Sequence, residues 1–279
     1  MIKEKFTYSD KETCLVSVFA SNKDEHLCIV IPAMGVKAKY YESFCSKLNA
    51  EEFNVIIADW RGIGDSSIRA SRTSDFGYRN LIKDLKEIVQ FGQQRFPNSK
   101  TTLIGHSLGG QIASLFTSKY PDKVDDLILI TACNVYYKGW ENQAQVILAG
   151  KLFPVISRLF GYFPGNKIGF SGREARTVMR DWSSNALTGN YQLTGSSFNY
   201  DKALQKLEKK ILTFSVQNDK LASLNAIDNL LNKFHDNSNI TKFHLTSEKT
   251  QIEKLNHFNW AKKSDYVVSK IVTWKETSN

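Results

Sequence analysis

The sequence predicts an α/β protein in which helices flank a mostly parallel central sheet. Short apolar runs alternate with amphipathic segments along most of the chain, which is the pattern of repeated strand–helix units. Several apolar runs are continuous rather than alternating, as strands that are covered on both faces require. One long aromatic-rich stretch interrupts the pattern, so we expect one enlarged domain of 279 residues that carries an insertion.

The first half of the chain contains five predicted strands and three predicted helices. The strands lie at residues 16–19, 27–31, 53–58, 101–104 and 127–130. The helices lie at residues 39–50, 78–96 and 108–120, and a proline follows each of the last two. In the first helix, Tyr40, Phe44 and Leu48 share one apolar face. Because helices separate most consecutive strands, these strands should run parallel.

The alternation stops after the fifth strand and resumes near residue 211. The later strands are predicted at residues 211–216 and 240–245, and the later helices at residues 221–234 and 263–275. The segment between the two halves contains no convincing strand. It contains one apolar helix, 146–160, which we expect Pro154 to interrupt. We therefore expect a core of residues 1–133 and 209–279, with an inserted segment, residues 134–208, as its lid or cap.

The chain carries 37 basic and 28 acidic side chains, a net charge of +9, which raises nucleic acid, a membrane surface or an acidic substrate as partners. The excess is spread out: residues 1–133 contribute +1, and residues 134–208 and 209–279 contribute +4 each. No polybasic run and no nucleic-acid-binding module is present, so the charge favours a solvated surface and argues against nucleic acid. At most it favours an anionic substrate.

The cysteines and the apolar runs indicate a cytoplasmic protein. Four widely spaced cysteines form neither a C-x-x-C motif nor a Cys/His pattern at metal spacing, so we expect no metal and no other cofactor. The charged N-terminus leads into no apolar signal core, and no apolar run reaches the roughly 18 residues of a spanning helix. We expect no stable membrane insertion and a monomer or homodimer.

A Gly-x-Ser-x-Gly motif, Gly105-His106-Ser107-Leu108-Gly109, lies between the predicted strand 101–104 and the predicted helix 108–120. Strand, sharp turn and helix in this order are the context of a nucleophile elbow, in which a strained backbone exposes the serine hydroxyl above the helix N-terminus. Side chains two residues to either side would collide with neighbouring backbone, so Gly105 and Gly109 suit the turn. Ser107 is the predicted nucleophile.

A serine hydroxyl needs a base, and the base needs a carboxylate that fixes its tautomer. In this topology the acid should follow a later strand, and Asp219 lies just after the predicted strand 211–216. Asp201 precedes that strand and Asp228 lies within the next helix, so we expect both to face solvent. The alternative for Asp219 is that it only caps the next helix.

The base should be a histidine in a loop after the last strand, and His257 alone has that position. His235 follows a helix and His244 lies within a strand, so we expect structural roles for both. His106, beside the nucleophile, should support the elbow rather than transfer protons.

The oxyanion of acyl transfer needs two backbone N–H donors. Leu108 should supply one, because it follows the nucleophile and begins the helix. The loop Pro32-Ala33-Met34-Gly35, after the strand 27–31, should supply the other, and Met34 is our candidate. Many enzymes of this kind carry His-Gly where this loop begins with Pro-Ala, and because the donor is backbone, the change affects the choice of residue more than the mechanism.

These motifs resemble those of the α/β-hydrolase superfamily along essentially the whole chain. The segment Asp59-Trp60-Arg61-Gly62-Ile63-Gly64-Asp65-Ser66, the elbow and the late Asp219 and His257 carry the resemblance. Within the superfamily, Ile31-Pro32-Ala33-Met34-Gly35-Val36, Gly161-Tyr162-Phe163-Pro164-Gly165 and His257-Phe258 resemble a bacterial group of α/β hydrolases without a defined substrate. The resemblance implies a Ser–His–Asp hydrolase, and an architectural role for the loop of Asp59 and Arg61.

The inserted segment should lie over the carboxyl ends of the strands, where Ser107 is expected. Its aromatic residues suit the apolar underside of a lid, and Trp140, Phe163 and Trp182 are our candidates for substrate contact. The alternative is that these rings form the segment's own small core. Arg173, Arg176 and Arg180 have helical spacing and predict a basic helix face, either solvated or facing an anionic substrate.

The leading hypothesis is a serine hydrolase that cleaves a small-molecule acyl ester or thioester through an acyl-enzyme. The same triad would serve an acyltransferase if an alcohol or amine replaced water, and peptidase or lyase chemistry is also open. A non-catalytic ligand-binding protein of the same fold is the alternative from another class.

Overall fold

Eight strands form one central sheet in the computed structural model, which describes residues 1–277. Within these residues the strands are, in chain order, β1 (Ile2–Thr7), β2 (Thr13–Phe19), β3 (His26–Ile31), β4 (Asn54–Ala58), β5 (Lys100–His106), β6 (Asp126–Ile130), β7 (Phe163–Pro164), β8 (Arg173–Glu174), β9 (Lys210–Val216) and β10 (Asn239–Leu245). The sheet order is β1-β2-β4-β3-β5-β6-β9-β10, and β7 pairs with β8 alone.

The pairing of the strands confirms the predicted, mostly parallel sheet. Strand β3 runs parallel to β4 and β5, and β6, β9 and β10 continue the parallel array. Within the central sheet of the described residues, the antiparallel pairings are those of β1 with β2 and of β2 with β4. Strand β1 was not predicted: it lies at the edge, and its largely exposed side chains include Lys3, Glu4 and Lys5, so its sequence lacks a buried apolar run.

The six predicted helices are present close to their predicted positions, and residues 1–277 contain four more that the sequence did not predict, three of them in the inserted segment. In chain order the helices are α1 (Glu42–Ala50), α2 (Tyr78–Arg95), α3 (Leu108–Lys119), α4 (Gln143–Phe160), α5 (Gly165–Ile168), α6 (Arg176–Thr188), α7 (Tyr200–Leu204), α8 (Leu224–Leu231), α9 (Ser247–Thr250) and α10 (Asp265–Glu276). Helix α8 begins later than predicted because Ser223 is its N-cap, with its Oγ accepting the Ala226 N–H at 3.1 Å.

Apolar side chains cover both faces of the parallel strands, as their continuous runs predict. Along β3, Ile29 and Ile31 belong to the core that includes residues of α2 and α3. Cys28 and Val30 belong to the core that includes residues of α1 and α10. The alternation of side chains along a strand therefore divides one apolar run between two buried layers.

Helix α4 runs through Pro154, and the predicted interruption there is wrong. A proline removes one N–H bond and crowds the carbonyl four residues earlier. The turns on either side of it are anchored: Gly150 is buried against Leu187 on α6, and Ser157 is buried with its Oγ donating to the Phe153 carbonyl at 2.6 Å. This packing holds the two halves of the helix in line.

The inserted segment contributes no strand to the central sheet between β6 and β9 within the described residues. It contains α4 to α7 and the β7–β8 pair, whose strands of two residues are too short to show a periodicity in sequence. Several of its apolar side chains, including Phe163 and Met179, join the core on the α2 and α3 side of the sheet.

Candidate active site

Ser107 lies in the one-residue turn between β5 and α3, with φ of 52° and ψ of −117°. This is a strained conformation for a residue with a side chain. A Cβ on Gly105 would lie 2.4 Å from the Cα of Gly110, and one on Gly109 would lie 2.2 Å from the carbonyl oxygen of Ile31. Both glycines are therefore required by close backbone contacts, and the strand–turn–helix geometry of the elbow is as the sequence predicts.

The two amides predicted to bind an oxyanion lie on segments that touch each other. The amides of Gly110 and Gln111 already donate to the Ser107 carbonyl, at 3.0 and 3.2 Å. The amide of Leu108, the first of the helix, has no intrahelical acceptor. Because Gly109 abuts Ile31 and Pro32, the loop that carries half-buried Met34 begins against the start of α3.

Asp219 and His257 form a buried hydrogen bond. Asp219 lies three residues after β9, and its Oδ2 is 2.7 Å from His257 Nδ1, with side chains that are 1% and 5% exposed. Its Oδ1 accepts the amides of Leu221 at 2.8 Å and Ala222 at 3.2 Å. A carboxylate only accepts, so His257 Nδ1 carries the proton and Nε2 is left as the acceptor, which is the tautomer a general base needs.

The other acids and histidines considered from the sequence lie elsewhere. Asp228 pairs with Lys242 at 2.6 Å on the surface, and half-buried Asp201 pairs with Lys233. His244 Nδ1 lies 2.8 Å from the Ser215 hydroxyl, between β9 and β10. Among these side chains, only His257 contacts Asp219.

Side-chain hydrogen bonds fix the loop that carries His257. The Asn256 Oδ1 accepts the amides of Phe258 and Asn259, both at 3.0 Å. The Asn259 side chain closes the loop by accepting the Asn256 amide at 2.9 Å and donating to the Lys254 carbonyl at 2.7 Å. These bonds hold the backbone of the loop on which His257 lies, and the hydrogen bond to Asp219 orients the imidazole.

His106 connects the elbow to the His257 loop. Its Nε2 lies 2.9 Å from the His257 carbonyl oxygen, and the two imidazole rings are 5.0 Å apart between centroids. A carbonyl only accepts, so Nε2 of His106 carries the proton. Burial, with a smaller contribution from His257, holds the pKa of His106 well below its usual value, so the ring is neutral. The sequence predicts that His106 supports the elbow, and the structure shows that it also bonds to the backbone of His257.

Tyr41 extends this connection to the loop that carries Met34. Its hydroxyl donates to His106 Nδ1 at 2.6 Å and accepts the Ala33 amide at 3.1 Å, and the side chain is fully buried. The helical spacing predicts Tyr40 on the apolar face, but a 3₁₀ turn, Ala38–Tyr41, precedes α1 and places Tyr41 on the buried face instead. A tyrosine among apolar residues was the available signal, since a buried hydroxyl usually finds a partner.

Two of the three aromatic candidates of the inserted segment pack mainly against other rings. Phe163 is fully buried, 4.6 Å from Phe153 between ring centroids, and Trp182 lies 5.4 Å from the same ring. Phe163 therefore has a packing role, and it belongs to the core on the α2 and α3 side of the sheet rather than to a separate core of the inserted segment. Trp140 is half-buried as a residue, but its Nε1 atom is itself buried and has no hydrogen-bond partner within residues 1–277.

The basic helix face predicted in the inserted segment is not formed. Arg173 belongs to β8, where its guanidinium lies 3.8 Å from the Tyr162 ring centroid and its Nε donates to the Ala70 carbonyl. Arg176 faces Asp75 at 3.5 Å, and Arg180 is exposed. The helix starts after Arg173, so the spacing spans a strand and a helix.

The segment of Asp59 and Arg61 has architectural contacts, as its resemblance implies. Asp59 accepts the amides of Ala38 at 2.8 Å and Asp65 at 2.9 Å. Arg61 binds both carboxylate oxygens of buried Asp84 at 2.7 Å. These contacts tie the loop to neighbouring elements.

No group of three His, Cys, Asp or Glu side chains in residues 1–277 is arranged to hold a metal ion. All four cysteines are free and buried. None of the helices in this part of the chain has the length and apolar character needed to cross a membrane.

A family model described as serine aminopeptidase, S33, matches residues 22–194, which is well over half of the chain. The match contains Ser107 and most of the inserted segment, but it ends before Asp219 and His257. The assignment of these two residues therefore depends on the geometry described above.

Curated relatives are similar over parts of the chain. An uncharacterised protein of Mycobacterium tuberculosis is 32% identical over 107 residues, which are 38% of this chain and 29% of that protein. Protein phosphatase methylesterase 1 of Candida albicans is 23% identical over 227 residues, which are 80% of this chain and 61% of that protein. The chain thus spans less than two thirds of the length of these relatives.

Among solved structures, an esterase of Exiguobacterium antarcticum superposes with a TM-score of 0.63 at 14% identity, over 98% of this chain and 99% of that chain. At this identity the likeness concerns the fold alone.

Proposed function

Because the chain belongs to the serine aminopeptidase S33 family of α/β hydrolases and is a hydrolase by that membership, we propose that it cleaves a carboxylic ester or thioester through an acyl-enzyme on Ser107. The observation that carries the proposal is the Asp219–His257 hydrogen bond of 2.7 Å, which leaves the Nε2 of His257 as an acceptor. The methylesterase among the relatives supports ester chemistry.

In the first half of the reaction, His257 Nε2 takes the Ser107 proton as Oγ attacks the substrate carbonyl. The carbonyl oxygen becomes an oxyanion, which the backbone amides of Leu108 and Met34 bind. When the tetrahedral intermediate collapses, the bond to the leaving alkoxide or thiolate breaks, and His257 returns the proton to it. Asp219 stays ionised and stabilises the imidazolium that forms between these steps.

In the second half, a water molecule attacks the acyl-enzyme carbonyl while His257 Nε2 takes a proton from it. Collapse of the second intermediate breaks the bond to Ser107 Oγ and returns this proton to the serine. The products are a carboxylic acid and an alcohol or thiol. No redox step or cofactor is needed for this sequence.

The two buried carboxylates of the inserted segment, Glu174 and Asp181, are not available to bind a substrate ammonium group. This favours an ester over a substrate with an N-terminal aminoacyl group. An aminoacyl substrate carries an ammonium group, which binds best to an available carboxylate. Burial raises the pKa of Glu174 and of Asp181. Both side chains are also already bonded, Glu174 to the Ser171 hydroxyl at 2.7 Å and Asp181 to the Tyr78 and Thr194 amides at 2.9 and 2.8 Å.

We also propose that the inserted segment, residues 134–208, is a lid over the core formed by residues 1–133 and 209–279. A Cβ on Gly35 would lie 2.5 Å from the amide nitrogen of Gly172, so the inserted segment touches the loop of Met34. This contact supports a cover over the oxyanion site, and Trp140, with its unpaired Nε1, is the proposed ligand contact within it.

A fluorophosphonate probe tests the nucleophile. We expect the wild-type protein to be labelled and Ser107→Ala to lose labelling completely, because the probe phosphonylates an activated serine with loss of fluoride. Ser269→Ala, which changes an exposed serine on α10, is the matched control and should label like the wild type. Equal labelling of Ser107→Ala and wild type would contradict the assignment. Hydrolysis of p-nitrophenyl esters of graded chain length would then define the acyl group.

A further inference from the structure

The outer face of α4 is a row of exposed aliphatic side chains. Leu148, Leu152, Val155 and Leu159 follow one another at steps of four, three and four residues, which places them on one side of the helix. They are 57%, 45%, 54% and 65% exposed. We call these four residues the α4 ridge.

The α4 ridge lies on the opposite side of the helix from the residues that α4 buries. Gly150 and Ser157, the buried residues of α4, lie roughly opposite the ridge at about 100° per residue. A helix at a protein surface normally turns polar residues outward. Here both the packed side and the outward side are apolar, and a contiguous exposed patch of this kind marks an interaction surface.

The charged side chains of α4 itself are both basic. Helix α4 contains no aspartate or glutamate, and its two charged side chains, Lys151 and Arg158, are exposed and seven residues apart on the same edge of the ridge. At the helix end, exposed Arg72 donates to the Leu159 carbonyl at 2.8 Å. Three cations thus accompany the aliphatic row.

We propose that the α4 ridge docks the protein on an anionic lipid bilayer, with the helix lying in the plane of the interface. An apolar row with cations along its edge is the arrangement by which an amphipathic helix inserts shallowly while its charges meet anionic headgroups. A second copy fits less well, because an antiparallel pairing of two ridges would bring Lys151 and Arg158 near the same cations of the other copy. In this arrangement the 18 residues of α4 lie along the bilayer surface, and the helix does not have the length and apolar character needed to span the bilayer.

The position of α4 relates this surface to the candidate active site. The helix packs on the turn Tyr137–Gly139, and the Gly139 carbonyl accepts the hydroxyl of Ser223, four residues after Asp219. Leu221 and Leu224, on the segment that follows Asp219, are also exposed. Docking at the ridge would therefore place the inserted segment, which carries Trp140, close to lipid.

Vesicle sedimentation tests the proposal with the full chain. We expect the protein to bind vesicles of equal parts phosphatidylglycerol and phosphatidylcholine, and to bind pure phosphatidylcholine vesicles much more weakly. The double variant Leu152→Asn/Leu159→Asn should lose at least about tenfold in affinity for the anionic vesicles. Lys151→Gln/Arg158→Gln should lose about thirtyfold there, since each cation near the surface contributes about 1 kcal/mol.

Ile2→Asn is the matched control, because Ile2 is a 54% exposed aliphatic residue on the edge strand β1, and it should bind like the wild type. Fluorophosphonate labelling of each variant separates a loss of docking from a loss of the nucleophile. Two results would overturn the proposal: no vesicle binding by the wild type, or binding that both double variants retain. A wild-type dimer in light scattering that Leu152→Asn/Leu159→Asn dissociates would assign the ridge to a second copy instead.

Discussion

The two ends of the parallel strands differ in how their polar groups are arranged. At the amino-terminal ends, a cavity of about 400 Å³ is lined by charged side chains of both signs, among them Lys100, Asp126 and Lys275. At the carboxyl-terminal ends lie Ser107 and the hydrogen-bonded Asp219 and His257. This cavity therefore lies at the opposite end of the strands from the candidate catalytic residues.

At the amino-terminal end, the buried ammonium group of Lys275 is paired with a carboxylate. The Lys275 ammonium donates to Asp126 Oδ2 and to Thr102 Oγ1, both at 2.6 Å, and its side chain is 5% exposed. At the other end the Asp219 carboxylate accepts a hydrogen bond from the Nδ1 of His257, whose second ring nitrogen is left as an acceptor. A histidine that is hydrogen-bonded through one ring nitrogen and has the other left as an acceptor is therefore a better indicator of a catalytic site than the volume of a cavity or the number of charges that line it.

The largest expected effect at the carboxyl-terminal end is that of Asp219→Asn. The Leu221 and Ala222 amides should keep the side-chain oxygen, which turns the new NH₂ group toward His257 Nδ1. His257 would then be protonated on Nε2 and unable to accept the serine proton. We expect kcat for ester hydrolysis to fall about a thousandfold to ten-thousandfold, with little change in KM.

Asp228→Asn is the matched control, because Asp228 pairs with Lys242 on the surface of α8 and should leave kcat unchanged. A loss of less than tenfold in Asp219→Asn would mean that Asp219 only caps the following segment.

At the amino-terminal end the expected effect is on stability. Lys275→Met removes the partner of buried Asp126, so we expect the free energy of unfolding to fall by about 3–5 kcal/mol. Lys242→Met, which breaks an exposed pair, should cost at most about 1 kcal/mol. Urea unfolding measures both, and kcat of the folded fraction should match the wild type. A loss of kcat in Lys275→Met without a loss of stability would show that this end takes part in the reaction.

The smallest effect concerns the pH dependence of stability. Burial lowers the pKa of His106 in the folded state, so the unfolded chain binds the extra proton. The contribution of His106 to the free energy of unfolding is fully present above about pH 6.5. It is lost as the pH falls, by up to about 1.4 kcal/mol per pH unit. His106→Asn does not ionise, and it can still accept from Tyr41 and donate to the His257 carbonyl.

Urea unfolding at pH 7 and pH 5 should therefore show a smaller loss of stability in His106→Asn than in the wild type. His26, at the amino-terminal end, also has a pKa lowered by burial, but it contributes equally to both proteins and cancels in the difference. Equal losses in the two proteins would show that His106 does not titrate between the folded and unfolded states in this range.

Much of the fold was predictable because continuous apolar runs specify covered parallel strands, and because Gly105 and Gly109 specify the turn at Ser107. The order of Ser107, Asp219 and His257 along the chain was enough to choose among several acids and histidines. The pairing itself depends on contacts between residues far apart in the chain, and the structure supplies it. The placement of these residues in a reaction remains a proposal that the variants test.

What the sequence did not predict depends on tertiary contacts without a local signal. Strand β1 is polar and forms because β2 offers an edge. Helix α4 passes Pro154 because α6 and its own buried residues hold it. Tyr41 replaces Tyr40 in the core because one 3₁₀ turn changes the phase of the helix, and its bonds to Ala33 and His106 follow from that shift.

The backbone of Ser107 has a consequence for how this protein can change over time. A residue with a side chain at φ of 52° and ψ of −117° costs the folded state about 1–3 kcal/mol, and close contacts at Gly105 and Gly109 maintain it. A glycine in place of Ser107 would relieve that cost and remove the hydroxyl. Stability and the proposed reactivity therefore oppose each other at this position, and selection for stability alone would favour loss of the proposed nucleophile.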